Sequence, residues 1–230
     1  MILRLLLGAG FGLAMLFQAP RGGPDLAELL PLSERWLAVH VVDGHVEHHG
    51  KGQKRSQEKV VAVALDTARA DRAASWTISS ADDPAYAQGR PPERVGRKSK
   101  GVDFAWLAEK WVNGRAVNVS PDHAKEHWIY LGLPSALRRG ATYTVACGDL
   151  IAGTPRLSLR FDEARARSEA VHVNLVGYPA AAPAKFGYVY HWMGDADALD
   201  VRPLAGRAFR LIEQPGGAEA SSRTDCSPSR

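Results

Sequence analysis

Short runs rich in β-branched and aromatic residues fill the middle of the chain, and Gly, Pro and Asp separate them. The runs cover residues 36–42, 60–65, 75–80, 127–131, 141–147 and 155–161. Strand formers between turn residues at this spacing are typical of β-sandwiches. The pattern therefore predicts a first domain over residues 35–161, a β-sandwich of immunoglobulin or fibronectin type.

One stretch of this first half has helical spacing. Phe104, Leu107, Ala108 and Trp111 recur at intervals of three and four residues, which is the periodicity of a helix face. The segment is either a short helix that crosses one end of the sandwich or an irregular strand.

The charged and small residues 162–170 resemble a boundary between domains, and we expect a linker there. Strand-like runs follow at 171–176, 186–192, 199–201 and 208–212. A complete sandwich of this class needs about seven strands in about 100 residues. The chain is therefore expected to be all-β, with two tandem sandwiches of which the second, residues 171–214, is incomplete. The Gly-, Ser- and Pro-rich residues 215–230 are expected to form a disordered tail.

The N-terminus has the anatomy of a secretory signal peptide over residues 1–19. Arg4 precedes an apolar run at 5–17, and Ala19 is the candidate cleavage position. The interpretation predicts a secreted or periplasmic protein without a stable membrane span; an uncleaved N-terminal membrane anchor is the alternative. Residues 20–34 are expected to be a linker, with one or two helical turns at 26–30.

Charge and cysteine content narrow the function classes. The formal net charge is +4, and the 29 Lys and Arg residues are scattered along the chain. Nucleic-acid binders usually concentrate positive charge on one face with a recognisable motif, so we expect no nucleic-acid partner. The two cysteines do not make a disulfide framework; Cys147 is expected to be a buried thiol and Cys226 an incidental one.

The segment that opens the second domain carries a distinctive motif. It reads Val-His-Val-Asn-Leu-Val-Gly-Tyr-Pro from residue 171, and a strand-like run begins soon after it. This segment resembles the opening of the immunoglobulin-like domain that precedes the catalytic module in glycoside hydrolase family 9, the cellulase-type enzymes. The matching positions, which lie within about 45 residues, are Val171, Val173, Asn174, Gly177, Tyr178 and Lys185. Leu175 stands where the family has Gln.

The residues of the motif also have structural roles that can be inferred without reference to a protein family. Val171 and Val173 alternate and should point into a core. Asn174 can bond the local backbone and fix the corner, and Gly177 can adopt a positive φ. Tyr178 can bury its ring and return its hydroxyl to the main chain. These roles are structural rather than catalytic.

The resemblance implies a non-catalytic accessory region of a secreted glycoside hydrolase that acts in polysaccharide degradation. The family's catalytic carboxylates lie in a large helical barrel, which is absent from this chain. Asp195 and Asp197 superficially resemble that family's Asp motif, but their spacing is wrong and we interpret them as turn residues. We predict no catalytic, cofactor or metal site here. The expected partners are a catalytic module and, as a further option, a polysaccharide.

Histidines suggest a different chemistry. His123, Glu126 and His127 fit a His-x-x-Glu-His pattern, in which a helix presents two zinc ligands and a general base. A zinc hydrolase is therefore an alternative, although the flanking residues favour a turn with surface histidines. A second group of histidines near a turn is interpreted as solvated loop residues; it comprises His40, His45, His48 and His49.

Tryptophans supply the remaining hypothesis. Trp76 and Trp128 lie in strand-like runs and are expected in the core. Trp106, Trp111 and Trp192 could instead stack on sugar rings. The second hypothesis is therefore a carbohydrate-binding or cell-surface adhesion module, in which these side chains are exposed on one concave face.

Overall fold

The computed structural model describes residues 24–53, 57–163, 165–179, 181–212 and 219–223. These residues are mostly in strands, as predicted. Helical structure among them includes one α-helical turn, α1 (Thr67–Ala70), and short 3-10 turns at Ala73–Ser75, Pro84–Tyr86, Gly194–Ala196 and Arg202–Leu204. The strands are β1 Leu26–Ser33, β2 Trp36–Val42, β3 Gly44–Glu47, β4 Lys59–Ala62, β5 Thr77–Ser79, β6 Arg94–Val112, β7 Arg115–Gly132, β8 Thr142–Ala146, β9 Arg156–Arg160, β10 Val171–Val173, β11 Gly187–Val189, β12 Phe209–Ile212 and β13 Glu219–Arg223.

Two antiparallel sheets form a sandwich-like body around one apolar core. The first sheet has the order β1-β2-β7-β6, and the second has the order β5-β8-β9. Trp76 is fully buried between them, as expected, and its Nε1 donates to the carbonyl of Ala70 at 2.8 Å. Other large, fully buried side chains of this core are Leu37, Ile78, Tyr86, Ile129, Leu131 and Tyr143. The predicted all-β class is confirmed.

The first sheet is also covered on its other face. Ala38 of β2 and Tyr130 of β7 are fully buried there against Ala170 and Met193 from the C-terminal part of the chain. Both faces of β2 are therefore out of water, which explains why the run at 36–42 is apolar almost without alternation. The body has three layers: the three-stranded sheet, the four-stranded sheet and the segment 168–201.

Glycines allow the third layer to approach β6 closely. A Cβ on Gly96 would lie 2.4 Å from the Cβ of Ala196, and one on Gly194 would lie 2.1 Å from the carbonyl oxygen of Arg97. Gly194 also has φ near +60°, a conformation that other residues rarely adopt. Side chains at either position would keep the 3-10 turn at Gly194–Ala196 away from the sheet.

The expected linker at residues 20–34 is wrong over its described part. Residues 26–33 form β1, which pairs along its length with β2, and Leu29 and Leu32 are buried. One or two helical turns were expected at 26–30, but pairing with the edge of β2 fixes this segment as a strand. The predicted signal peptide at 1–19 and Cys226 lie outside the described residues; in the part of the chain that is described, no helix has the length and apolarity of a membrane span.

The expected linker at 162–170 is also wrong in its second half. The Ser168 hydroxyl donates to the carbonyl of Leu32 at 3.0 Å, and Ala170 is buried against the four-stranded sheet. The residues that follow form two small sheets, β10-β11 and β12-β13, so a second sandwich with its own core is not seen among the described residues. Residues 199–201 form no strand.

The predicted disordered tail at 215–230 is contradicted at one place. Residues 219–223 form β13, which pairs with β12 from Phe209–Arg223 to Ile212–Glu219. Such a polar run has little strand signal of its own, but an open strand edge can satisfy its backbone.

A long hairpin extends from the four-stranded sheet. β2 pairs with β7 only between residues 126 and 132, whereas β6 and β7 remain paired from 94–132 to 112–115. The predicted helix at Phe104–Trp111 is therefore wrong, and the alternative of an irregular strand is the correct one. Asn113 and Gly114 close the hairpin with positive φ at both positions, as a tight two-residue turn requires. We call residues 103–124 the arm.

Candidate functional site

The family-like motif builds a rigid corner after β10. The Asn174 side chain donates to the carbonyl of Gly177 at 2.9 Å and accepts from the N–H of Val176 at 3.0 Å. Gly177 has φ near +89°, and the Tyr178 hydroxyl donates to the carbonyl of Phe186 at 2.6 Å. The backbone roles expected of Asn174, Gly177 and Tyr178 are thus confirmed.

The core role expected of the two valines is wrong. Val171 and Val173 are more than half exposed, because β10 and β11 form a two-stranded sheet that no second sheet covers. Among the described residues, the base of this hairpin contacts the body. There the His191 Nε2 lies 3.0 Å from the hydroxyl of buried Tyr130, and burial lowers the pKa of His191.

Four aromatic side chains follow one another at alternate positions along and beyond β11. Their exposed fractions lie between 56% and 60%, which is unusual for side chains of this size. Alternate residues of a strand point to the same side, so the four rings form a stripe about 7 Å apart per step. The aromatic stripe consists of Phe186, Tyr188, Tyr190 and Trp192.

The surroundings of the aromatic stripe are weakly basic. The His172 ring stacks on Tyr190 with the ring centres 4.1 Å apart, and this contact fixes one ring. Residues 171–192 include Lys185 and two histidines but no Asp or Glu. The segment that carries the stripe therefore contributes no acidic side chain of its own.

The arm carries a second, smaller aromatic surface. Phe104 and Trp106 are each nearly half exposed, and Phe104 stacks on His123 at 5.3 Å. In the pairing of β6 with β7, Trp106 is opposite Pro121 and Lys98 is opposite Trp128. The Lys98 ammonium lies near the carbonyl of Trp192, so position 128 marks the side of the sheet on which Trp192 lies. Positions 121 and 128 point to opposite sides of β7, so Trp106 and the Trp192 region do not share one concave face. The side chain of Trp111 lies outside the described part.

The metallopeptidase-like residues lie on a strand rather than on a helix. On β7, Glu126 accepts from Lys100 at 2.7 Å and lies 3.4 Å from the His40 ring, while His127 points into the other face and is buried. Glu126 and His127 therefore cannot act on one substrate as the pattern requires. Among the described residues, no group of three or more His, Cys, Asp or Glu side chains is placed to hold a metal ion.

His127 belongs to a polar set that the sequence did not suggest. Its Nδ1 lies 2.8 Å from the hydroxyl of exposed Ser99, and its Nε2 is 3.6 Å from a carboxylate oxygen of buried Asp43. The residue types are those of a nucleophile, a base and an orienting acid. However, 3.6 Å is too long for a hydrogen bond, and the Arg97 guanidinium donates to the same hydroxyl at 2.7 Å. We interpret the set as a polar tie between β6, β7 and the end of β2.

The other histidines each lie beside an acid. The expectation of solvated side chains is wrong for buried His40, whereas His45 and His48 are exposed as expected. His40 is buried, lies 2.9 Å from Glu28 and stacks on Trp128 at 3.8 Å. His45 lies 2.8 Å from Asp25. Asp195 lies within the 3-10 turn beside β6 and Asp197 directly follows that turn, which agrees with their interpretation as turn residues.

His48 and His49 meet two carboxylates that sequence reasoning had not placed near them. These are Glu58 and Asp103, the latter 55 positions from His48. Only pairing of the β3-β4 hairpin with the arm brings them together, and no local pattern encodes that contact. We call these four residues the latch.

Comparison of the chain with known protein families, curated proteins and solved structures finds no match.

Proposed function

We propose that this protein is a non-catalytic accessory module that docks a separate folded partner through its aromatic stripe. The observation that carries the proposal is the run of four half-exposed aromatic side chains at Phe186, Tyr188, Tyr190 and Trp192. Monomeric soluble proteins rarely leave contiguous apolar surface of this kind uncovered. Aromatic residues are also enriched where proteins meet.

The partner proposed is the catalytic module of a cellulase-type glycoside hydrolase. The support is the family-like corner at 171–178, whose Asn174, Gly177 and Tyr178 make the backbone contacts that the motif predicts. That corner fixes the start of the chain segment that carries the aromatic stripe. The immunoglobulin-like identity of the region and secretion of the protein are parts of the same proposal.

A titration of the purified chain into a family 9 catalytic module that lacks its own immunoglobulin-like domain tests this. Calorimetry should detect 1:1 binding. The double variant Tyr188→Ser, Tyr190→Ser should weaken the affinity at least tenfold, since buried interface aromatics commonly contribute about 2 kcal/mol or more each. Phe104→Ser is the control, because it removes an aromatic side chain that is 45% exposed from the arm, and it should leave the affinity unchanged. An undetectable interaction, or equal loss in the control, contradicts the proposal.

Polysaccharide binding is the second candidate, and the geometry of the aromatic stripe favours it. Rings about 7 Å apart on one side of an extended strand offer apolar faces to successive sugar rings, and Tyr188 and Tyr190 add hydroxyls at the rim. Depletion of the protein from solution by insoluble cellulose measures this directly. Retention that the Tyr188→Ser, Tyr190→Ser variant loses would favour a sugar ligand over a protein partner. Retention that the Phe104→Ser variant loses would place sugar binding on the arm.

A further inference from the structure

The root of the arm is tied to the β3-β4 hairpin by two reciprocal hydrogen bonds. Asp103 of β6 accepts the N–H of Val46 in β3 at 2.7 Å. Glu58, at the start of β4, accepts the N–H of Trp106 in β6 at 2.8 Å. Each element thus gives a carboxylate to the other element's backbone, and the two acids decide how the arm is held.

The second oxygen of each carboxylate meets a histidine. The His48 Nε2 lies 2.7 Å from Asp103, and the His49 Nδ1 lies 2.5 Å from Glu58. The other ring nitrogen of His48, Nδ1, lies 3.6 Å from Glu58. His48 therefore stands between the two acids, with one nitrogen toward each.

The Glu58 carboxylate and the His48 ring differ in their exposure to solvent. The Glu58 side chain is 3% exposed, whereas that of His48 is 53% exposed, so protons from solvent reach the histidine while the acid stays inside. A neutral imidazole has one N–H, and an imidazolium has two. Only protonated His48 can present a donor to Asp103 and a positive charge to Glu58 together.

We propose that the latch of His48, His49, Glu58 and Asp103 is a pH-responsive device that holds the root of the arm in mildly acid solution and loosens it above neutrality. The proposal is independent of the partner proposed for the aromatic stripe. Among the described residues of the elements packed here, His45 pairs with Asp25, and Glu47 and Lys59 are exposed and opposite each other across β3-β4. Asp122 of β7 is exposed on the arm, and His123 of β7 stacks on Phe104.

The direction of the response follows from the charges. The hydrogen bond to Asp103 raises the pKa of His48 above its ordinary 6.5. A group whose pKa is raised by folding stabilises the folded form below its ordinary value, and this stabilisation is lost as the pH rises through the raised pKa. The Trp106 N–H and then His49 lower the pKa of Glu58 to about 2, so its contribution is lost only as the pH falls from 4.5 toward 2. The charged hydrogen bonds of the latch are therefore all present between about pH 4.5 and the raised pKa of His48.

Amide hydrogen exchange of the full chain tests the device at the two bonds themselves. Protection factors, corrected for intrinsic exchange, are measured for the Val46 and Trp106 amides at pH 5.5 and 8.5. We expect both to fall by roughly two- to fivefold at the higher pH, the size that partly exposed ion pairs support. In His48→Gln, whose amide keeps a donor but takes no charge, the two pH values should give equal protection.

His45→Gln is the matched control, because it removes a histidine of the same hairpin that is paired with Asp25 away from the arm; it should keep the wild-type response. A second readout is the titration of the His48 ring by NMR, with a midpoint above 6.5 that moves down in Asp103→Asn. Equal protection at both pH values in the wild type overturns the proposal. A response that survives in His48→Gln does so as well.

Discussion

The contact between β6 and the third layer can be tested with a single methyl group. Gly96→Ala would place a Cβ 2.4 Å from the Cβ of Ala196 and 2.6 Å from its backbone nitrogen. Protein atoms do not tolerate such separations, and one of the two atoms belongs to backbone. The turn cannot simply move sideways, because Gly194 is already packed against the carbonyl of Arg97. The turn must lift away from the sheet.

The loss of folding stability depends on the buried side chains that the turn contributes. Overpacking of a close contact costs about 1–3 kcal/mol, and lifting the turn also uncovers Met193 and Ala196, both buried to 2% exposure or less. We therefore expect a loss of about 2–3 kcal/mol in the free energy of unfolding, near the top of that range. Urea unfolding followed by far-UV circular dichroism measures it.

Gly50→Ala is the control for the loss of a glycine. Gly50 is exposed, and the nearest atom to an added Cβ is a side-chain oxygen of Gln53 at 3.4 Å. A change within about 0.5 kcal/mol is expected there, as for ordinary surface positions. If Gly96→Ala were no more costly than this control, segment 168–201 would not be seated on the four-stranded sheet, and the three-layer body would be refuted.

Three further changes probe the body. Tyr143→Phe removes the 2.6 Å hydrogen bond to buried Asp83 and should cost about 1–3 kcal/mol in urea unfolding, because the acid loses a donor. Trp76→Phe leaves the carbonyl of Ala70 without its indole donor and should lower the thermal midpoint by several degrees, about 4 °C or less per kcal/mol in a chain of this size. Burial lowers the pKa of His127, so its contribution to stability is present above pH 6.5 and is lost as the pH falls below it; His127→Gln should flatten the stability curve between pH 7.5 and 5 in calorimetry, and an unchanged slope would assign acid sensitivity to other groups.

Local sequence patterns predicted those strands that pack their apolar side chains into the main core. The expected run at 36–42 is β2, and those at 141–147 and 155–161 contain β8 and β9. In these strands the buried β-branched and aromatic residues face the core, so the strand propensity of the sequence and the packing of the side chains favour the same structure. The helical spacing of Phe104 and Trp111 left a short helix and an irregular strand as alternatives, whereas the two-residue turn at Asn113 and Gly114 was the informative signal for a hairpin.

The third layer could have been suspected from one feature of β2. A strand with one solvated side alternates between apolar and polar residues, but residues 36–42 are apolar except for His40. Such a run is typical of a strand buried on both sides. What covers it could not be predicted, because segment 168–201 reaches the sheet through Ala170, Met193 and Ala196, which are small or flexible side chains without strand periodicity. The latch was beyond prediction for a similar reason, since Glu58 and Asp103 meet only across separate hairpins.

The position of the aromatic stripe relative to these layers constrains where its partner must come from. The four-stranded sheet is covered on one face by β5, β8 and β9 and on the other by segment 168–201. Neither face of this sheet remains to receive Phe186, Tyr188 or Tyr190. A chain that merely lacked stability would leave scattered apolar side chains uncovered, whereas these three stand at alternate positions behind a corner fixed by Asn174 and Gly177. The rigid corner lowers the entropy cost of ordering the stripe on binding. Within the described part of the chain these side chains are more than half exposed, which supports the proposed docking of a partner.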